Sequence, residues 1–259
     1  MKRVVIKVGG ALLDQPSTIT SLFAQIKQLQ SQAQIVLVHG GGTLTEKLLT
    51  QLGLTSEKKN GLRVTPVEHM PIIAGTLAGT ANKVLCAQAH TAGLAPVGLS
   101  LIDGNIISCT QLDADYGAVG VPQANQSSLF EVLMTNRFLP VVSSIGCDHA
   151  GQLLNVNADH AATAIAKLLN AQLIMLSDVA GVLGHDDVLI KQLDANHSQE
   201  LQQKGVIGGG MQVKVDAAFQ AANTLAQPVA IASWNDRLSD ILAAHCGTQI
   251  ISSSRLEHA

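Results

Sequence analysis

The stretch Ile35-Val36-Leu37-Val38-His39-Gly40-Gly41-Gly42-Thr43-Leu44-Thr45-Glu46 decides the fold. Four bulky apolar residues, three of them β-branched, read as a central strand. The glycine triplet ends it, and Thr43 followed three residues later by Glu46 has the spacing of a capping box that opens a helix. Strand, glycine turn and helix in succession form the repeating unit of a mainly parallel sheet with crossover helices. Ligands of such sheets bind beyond the carboxyl ends of the strands. Glycine there lets backbone N–H groups converge on an anion, and a helix N-terminus adds its dipole.

The same turn occurs earlier, where Val4-Val5-Ile6-Lys7-Val8 runs into Gly9-Gly10. A third cluster, Gly208-Gly209-Gly210, precedes a helix expected to start near Met211. Further apolar runs at 95–99, 139–144, 173–177, 229–232 and 249–251 predict five more strands beside those at 4–8 and 35–38. Ile19, Leu22, Phe23, Ile26 and Leu29 follow helical spacing. Thr65-Pro66-Val67-Glu68 combines a second capping box with proline at the first helical position, and predicts a helix to about His90. Residues 104–112 read as a hairpin and 113–125, which lack periodicity, as a surface loop. No Pro/Gly/Ser linker interrupts the chain, so two lobes sharing one continuous sheet are expected.

Composition narrows the function. With a net charge of -3 over 259 residues, Phe 4, Trp 1 and Tyr 1, the chain has neither a basic footprint nor a stacking platform for nucleic acid. It holds no apolar run of membrane-spanning length and no signal-peptide core, and is expected to be cytoplasmic. Cys86, Cys109, Cys147 and Cys246 lack metal-ligand spacing and read as reduced thiols. The terminal Leu256-Glu257-His258-Ala259 has the look of an appended tail. Dinucleotide, P-loop, zinc-peptidase and serine-hydrolase signatures are absent from the sequence.

Two lysines break local rules. Lys7 lies inside an apolar strand, where charge is normally excluded unless it snorkels out at the strand end. Lys214 is expected in the first turn of its helix, where the dipole disfavours a cation by about 0.3–1 kcal/mol. A bound anion reverses both penalties, so both positions point to negative charge. Asn157 is a candidate N-cap, which places Asp159 in a first helical turn. Arg63 is one of five arginines and stands beside Gly61, where it either clamps a carboxylate bidentately or coats the surface.

Taken in order, these segments resemble the amino acid kinase family, and within it the bacterial branch that uses N-acetyl-L-glutamate. The resemblance covers residues 4–251. It rests on Ile6-Lys7-Val8-Gly9-Gly10, Val38-His39-Gly40-Gly41-Gly42, Lys58-Lys59-Asn60-Gly61-Leu62-Arg63-Val64-Thr65, Gly75-Thr76-Leu77-Ala78-Gly79-Thr80-Ala81-Asn82-Lys83, Asn155-Val156-Asn157-Ala158-Asp159, Ser177-Asp178-Val179-Ala180-Gly181-Val182-Leu183 and Gly210-Met211-Gln212-Val213-Lys214. It implies an α/β three-layer α-β-α sandwich around a mainly parallel central sheet, in two lobes. Residues 1–172 would carry the acceptor site and the dimer interface, and 173–259 the ATP site.

The resemblance also implies an activity: ATP phosphorylates the acceptor's side-chain carboxylate in arginine synthesis, giving an acyl phosphate and ADP. Lys7 and Lys214 would flank the transferring phosphoryl group, with Asp159 orienting both. Gly9 and Gly10 would hold phosphate. Gly41, Gly42, Arg63 and Asn155 would hold the acceptor. Asp178, Val179, Ala180, Gly181, Val182 and Leu183, with Val206, Ile207 and Gly208, would line the nucleotide. Mg²⁺ would be carried chiefly by the ATP phosphates, without a protein ligand set. The first strand starts by Arg3, without the extra leading helix of hexameric, arginine-inhibited relatives. That implies a homodimer without arginine feedback, joined through the helix after Pro66. The alternatives are a sibling kinase with another acceptor, such as N-acetylated aminoadipate, and a noncatalytic sensor that keeps only the binding fold. Two cations around one phosphoryl group favour catalysis over sensing.

Overall fold

The computed structural model describes residues 1–252; the Leu256-Glu257-His258-Ala259 tail and positions 253–259 of the expected second lobe lie outside the described residues. Strand β1 (Lys2–Val8) leads through helix α1 (Pro16–Leu29) to β2 (Ala33–His39), and α2 (Gly42–Gln51) leads on to a hairpin of β3 (Glu57–Lys59) and β4 (Leu62–Val64). A long helical stretch follows: a 3-10 turn, α3 (Met70–Ala74), a π-helical segment (Gly75–Ala81) and α4 (Asn82–Thr91). Next come β5 (Pro96–Leu99), β6 (Ile107–Gln111), β7 (Val119–Ala124), α5 (Ser128–Thr135), β8 (Leu139–Ser143), β9 (Ile145–Cys147) and β10 (Leu153–Val156). Helix α6 (Ala158–Leu169), β11 (Gln172–Ser177), β12 (Gln192–Leu193), α7 (Ala195–Gln203), α8 (Gly209–Leu225), β13 (Val229–Ser233), α9 (Leu238–Leu242) and β14 (Thr248–Ile250) complete the order.

Eight strands form one sheet in the order β12-β14-β13-β11-β1-β2-β8-β5, parallel except where β13 meets β14. A second sheet of four, β6-β7-β10-β9, is mixed. All seven strands expected from the sequence belong to the large sheet, which is continuous across both halves of the chain. Its two faces carry separate cores, giving three layers. Val4, Ile6 and Val8 of β1 pack with Leu22, Phe23 and Ile26 of α1, while Val5 packs with Ala161 and Ile165 of α6. Side chains alternate along a strand, so Lys7 shares Val5's face and meets the layer containing α6. Alanine supplies the close approach there: Ala161, Ala162, Ala164 and Ala166 of α6 are all buried.

Several local expectations are corrected. Residues 113–125 are not a loop, because β7 occupies 119–124 and pairs with β6; the hairpin expected within 104–112 therefore has its second strand outside that window. Gly120 and Pro122 masked this strand. At Gly120 an added Cβ would stand 3.0 Å from the Leu154 side chain, so the neighbouring strand occupies the space of the missing side chain. Neither capping box forms. Helix α2 starts at Gly42 with Gly41 as its uncapped N-cap, and Glu46 turns to Arg63. The Thr65 hydroxyl donates to the Arg63 carbonyl at 3.0 Å, and the helix after Pro66 begins as a 3-10 turn without a side-chain cap. That helix does reach Thr91, through the π-helical segment. Because α8 begins at Gly209, Lys214 sits in its second turn rather than its first. Asn157 is an N-cap as expected, its side chain accepting from the N–H groups of Asp159 and His160. The four cysteines are free, and only Cys109 is fully buried. No helix among the described residues is long and apolar enough to cross a membrane.

Candidate active site

The carboxyl ends of β1 and β2 bring two glycine turns into contact. A Cβ on Gly10 would lie 2.7 Å from the Gly42 nitrogen and 3.0 Å from the Gly41 Cα, so only glycine lets these backbones touch. The Gly40 N–H donates to the Val8 carbonyl at 3.3 Å, carrying the strand ladder into the turn. Gly9, Gly10, Gly41 and Gly42 therefore converge beside the end of β1.

Lys7 does not snorkel into solvent. Its Nζ lies 2.8 Å from Asp159 Oδ1, with side chains 16% and 24% exposed. The Asn157 cap fixes the start of α6, and Asp159, two residues on, is thereby aimed at the end of β1. The helix-start signal and the chemical signal in Asn155-Val156-Asn157-Ala158-Asp159 thus belong to one device.

A cavity of about 200 Å³ opens against the glycine triplet. All four expected acceptor residues, Gly41, Gly42, Arg63 and Asn155, line it. Arg63 is held from three sides: by Glu46 at 2.7 Å, by the Gly42 carbonyl at 3.2 Å and by the Ser56 hydroxyl. The Arg63 hydrogen bond holds the Glu46 carboxyl below the usual carboxylate range. Asn155 donates to the Thr65 hydroxyl at 3.0 Å. Ile73 and Leu77 form an apolar wall, and Lys58 adds a second cation. Lys58 was not singled out from sequence, since a lysine in an exposed three-residue strand carries no signal of its own.

Lys214 departs from expectation. Its Nζ pairs with Asp178 Oδ1 at 2.9 Å, and not with Asp159, which pairs with Lys7 alone. The Lys214 hydrogen bond lowers the Asp178 pKa. Asp178 directly follows β11, the strand beside β1, so both lysine–aspartate pairs stand at the carboxyl edge of adjacent strands. In the segment after Asp178, Val179 donates its N–H toward the Ser177 hydroxyl at 3.5 Å and Val182 donates to the Thr248 hydroxyl at 2.8 Å. Leu183 forms a bridge with Leu189. Val182 and Ile207 are buried in the core, whereas Asp178, Ala180, Leu183 and Gly208 are exposed. The first pair supports this surface from beneath, and the second set can touch a ligand with side chains or backbone.

Buried His39 ends β2. Burial pushes its imidazole down to about 4, against the opposing pull of a hydrogen bond to the Gly40 carbonyl. The unfolded chain takes up that proton near 6.5, so between the two values it binds more protons than the folded chain and stability falls as pH drops. The limit is about 3 kcal/mol. Urea midpoints should therefore fall more steeply from about pH 7 to about pH 4.5 in the native protein than in a His39→Asn variant; equal slopes would exclude this contribution.

A family model described as the amino acid kinase family matches residues 2–233. The acetylglutamate kinase of Colwellia psychrerythraea is 49% identical over 253 residues, 96% of this chain and 97% of that one. That of Aeromonas salmonicida is 52% identical over 252 residues, 95% of this chain and 97% of that one. The crystal structure of a Streptococcus mutans UA159 protein superposes with a TM-score of 0.83 at 31% identity, covering 97% of this chain and 99% of that one. An N-acetylglutamate synthase from Neisseria gonorrhoeae, complexed with coenzyme A and N-acetyl-glutamate, shares the fold with a TM-score of 0.80 at 22% identity, covering 97% of this chain and 60% of that one.

Proposed function

The chain belongs to the amino acid kinase family, and we infer that it does what its near-half-identical relatives are named for: it phosphorylates the side-chain carboxylate of N-acetyl-L-glutamate with ATP, in arginine synthesis. It is a carboxyl-group phosphotransferase. The observation that best supports this acceptor is the cavity of about 200 Å³. That volume is below the roughly 300–1,000 Å³ of sites for drug-sized ligands, and suits a short N-acylated dicarboxylate rather than a nucleotide. Arg63 and Lys58 provide cations for the α-carboxylate, and Ile73 and Leu77 an apolar wall for the acetyl methyl. Gly41 and Gly42 border the reacting carboxylate, and Asn155 holds the substrate's polar backbone.

The reaction needs no general base. A carboxylate of pKa about 4.3 is already ionised near neutrality, so its oxygen attacks the γ-phosphorus directly while the bond to the bridging oxygen breaks and ADP leaves. The difficulty is bringing two anions together, and positive charge with oriented donors supplies the remedy. Lys7 and Lys214 take the phosphoryl charge from two sides, with Asp159 positioning Lys7. Gly9 and Gly10 supply backbone donors to phosphate. Asp178, Val179, Ala180, Gly181, Val182 and Leu183, with Val206, Ile207 and Gly208, form the nucleotide wall. Lys214 leaves Asp178 as ATP arrives.

Mg²⁺ accompanies ATP and neutralises its phosphate charge when bound. Asp159 and Asp178 each already hold a lysine, and no group of three acidic, His or Cys side chains among the described residues forms a metal cage. This donor set fits an ion carried by the nucleotide's phosphates. Residues 1–172 form the acceptor lobe, and the described residues from 173 onward the ATP lobe, of a cytoplasmic homodimer. Exposed Val67 and Val84 on the helical stretch after Pro66 support that stretch as the interface. Sedimentation should give a dimer; a monomer or hexamer would reject the assembly.

The acceptor is tested by ADP release over a panel of N-acetylglutamate, glutamate, aspartate, carbamate, uridylate and N-acetylated aminoadipate. N-acetylglutamate should give the highest kcat/KM. Turnover with another of these acceptors but not with N-acetylglutamate would overturn the assignment.

A further inference from the structure

We propose that His39 and Asn82 are a positioning pair that sets the orientation of the Gly40–Gly41 peptide, and with it the Gly41 N–H, on the residue that borders the reacting carboxylate. The inference rests on the role given above to Gly41. Both side chains are 1% exposed, and neither belongs to the lysine, arginine or glycine machinery. Asn82 is the first residue after the π-helical segment, the same stretch that places Ile73 and Leu77 on the cavity wall. One-turn π segments recur at functional sites because they re-aim the residues that follow.

The two hydrogens of the Asn82 amide go to its two nearest acceptors, the Val141 carbonyl and His39 Nε2, with the Leu99 carbonyl farther off. Asn82 Nδ2 lies 2.8 Å from the Val141 carbonyl of β8 and 3.3 Å from the Leu99 carbonyl of β5. Carbonyls only accept, so the nitrogen of the amide, and not its oxygen, faces the sheet. The same Nδ2 stands 3.0 Å from His39 Nε2. An amide nitrogen only donates, so Nε2 carries the lone pair. The proton of the neutral ring is then on Nδ1, which lies 2.9 Å from the Gly40 carbonyl oxygen. The chain of donation runs from Asn82 to His39 to Gly40. A protonated ring would set an Nε2–H against the Asn82 amide hydrogens, and the low imidazole pKa agrees with its exclusion.

The consequence follows from peptide planarity. In a trans peptide the carbonyl of one residue and the N–H of the next point in opposite directions within one plane. Fixing the Gly40 carbonyl on the His39 side turns the Gly41 N–H to the other. The peptides on either side are tied by the Gly40 N–H on the Val8 carbonyl and the Thr45 N–H on the Gly41 carbonyl, so the His39 bond is what addresses the plane between them, and a donor that swings forfeits oxyanion stabilisation.

The test uses the full-length protein. Asparagine places its Nδ2 close to the position of imidazole Nδ1, whereas glutamine reaches only toward Nε2. His39→Asn should keep kcat within about 3-fold of the native value, and His39→Gln should lower kcat by about 10-fold or more, with KM for ATP changed by less than about 2-fold. In parallel, the ¹⁵N signals of the native His39 ring should show Nδ1 protonated and Nε2 bare near neutral pH. That readout depends on neither a variant's folding nor the acceptor. An Nε2-protonated ring, or equal kcat losses in the two variants, would overturn the pair. Failure of the native protein to use N-acetylglutamate, with the ring in the expected tautomer, would instead count against the acceptor assignment and leave the pair standing.

Discussion

Replacing Lys7 with alanine is expected to lower turnover at least about 10²-fold, a loss near 2.7 kcal/mol, with much less effect on substrate affinity. The ammonium stands at the end of β1 beside the glycine turns, where the proposed mechanism puts the phosphoryl charge, and it is only 16% exposed. Its removal also uncovers the Asp159 carboxylate, which now repels both the γ-phosphate and the attacking carboxylate. Lys214→Ala should cost a similar factor for the other side of the phosphoryl group. Its present partner, Asp178, makes the expectation sharper, because Lys214 must exchange one anion for another during the reaction. Steady-state kinetics with both substrates varied checks this. Unchanged turnover in both variants would refute the mechanism.

Gly10→Ala should be the next most damaging change, lowering kcat by about 10²-fold. The new Cβ would stand 2.7 Å from the Gly42 nitrogen and 3.0 Å from the Gly41 carbonyl carbon, and these are backbone atoms that cannot rotate away. The two turns must separate, and a displacement near 1 Å at reacting groups costs about this factor. At Gly9 an added Cβ meets nothing within 4 Å, so Gly9→Ala should be clearly milder. Equal losses in the two variants would show that the contact between the turns is not what matters.

The large sheet was legible because its strands, apolar on both faces, are short and separated by helical periodicity. The hairpin of β3 and β4 was not: three-residue strands such as Glu57–Lys59, exposed throughout, carry no alternation to read. Strand β7 was hidden by Gly120 and Pro122, whose fit depends on Leu154, more than thirty residues away. The candidate site divides in the same way. Lys7 and Asp159 announced themselves through local rules, a charge in a strand and a capped helix start, and they pair. Glu46 satisfied the spacing of a capping box, yet the nearby guanidinium of Arg63 offered its carboxylate a stronger, charged partner. The choice of Asp178 by Lys214 spans 36 positions and depends wholly on how β11 and α8 pack. His39, one histidine at a strand end, carries no signal of its own, because its partner Asn82 is oriented by carbonyls of β5 and β8, which no spacing reveals.

The central claim is that two lysines, one parked on Asp159 and one on Asp178, converge on a single phosphoryl group. A crystal structure with a nonhydrolysable ATP analogue and N-acetyl-L-glutamate bound tests it most directly. Lys7 Nζ and Lys214 Nζ should both lie within hydrogen-bond distance of the γ-phosphate, with Lys214 released from Asp178 and Arg63 on the α-carboxylate. Lys214 still paired with Asp178 while both ligands are in place would contradict the account.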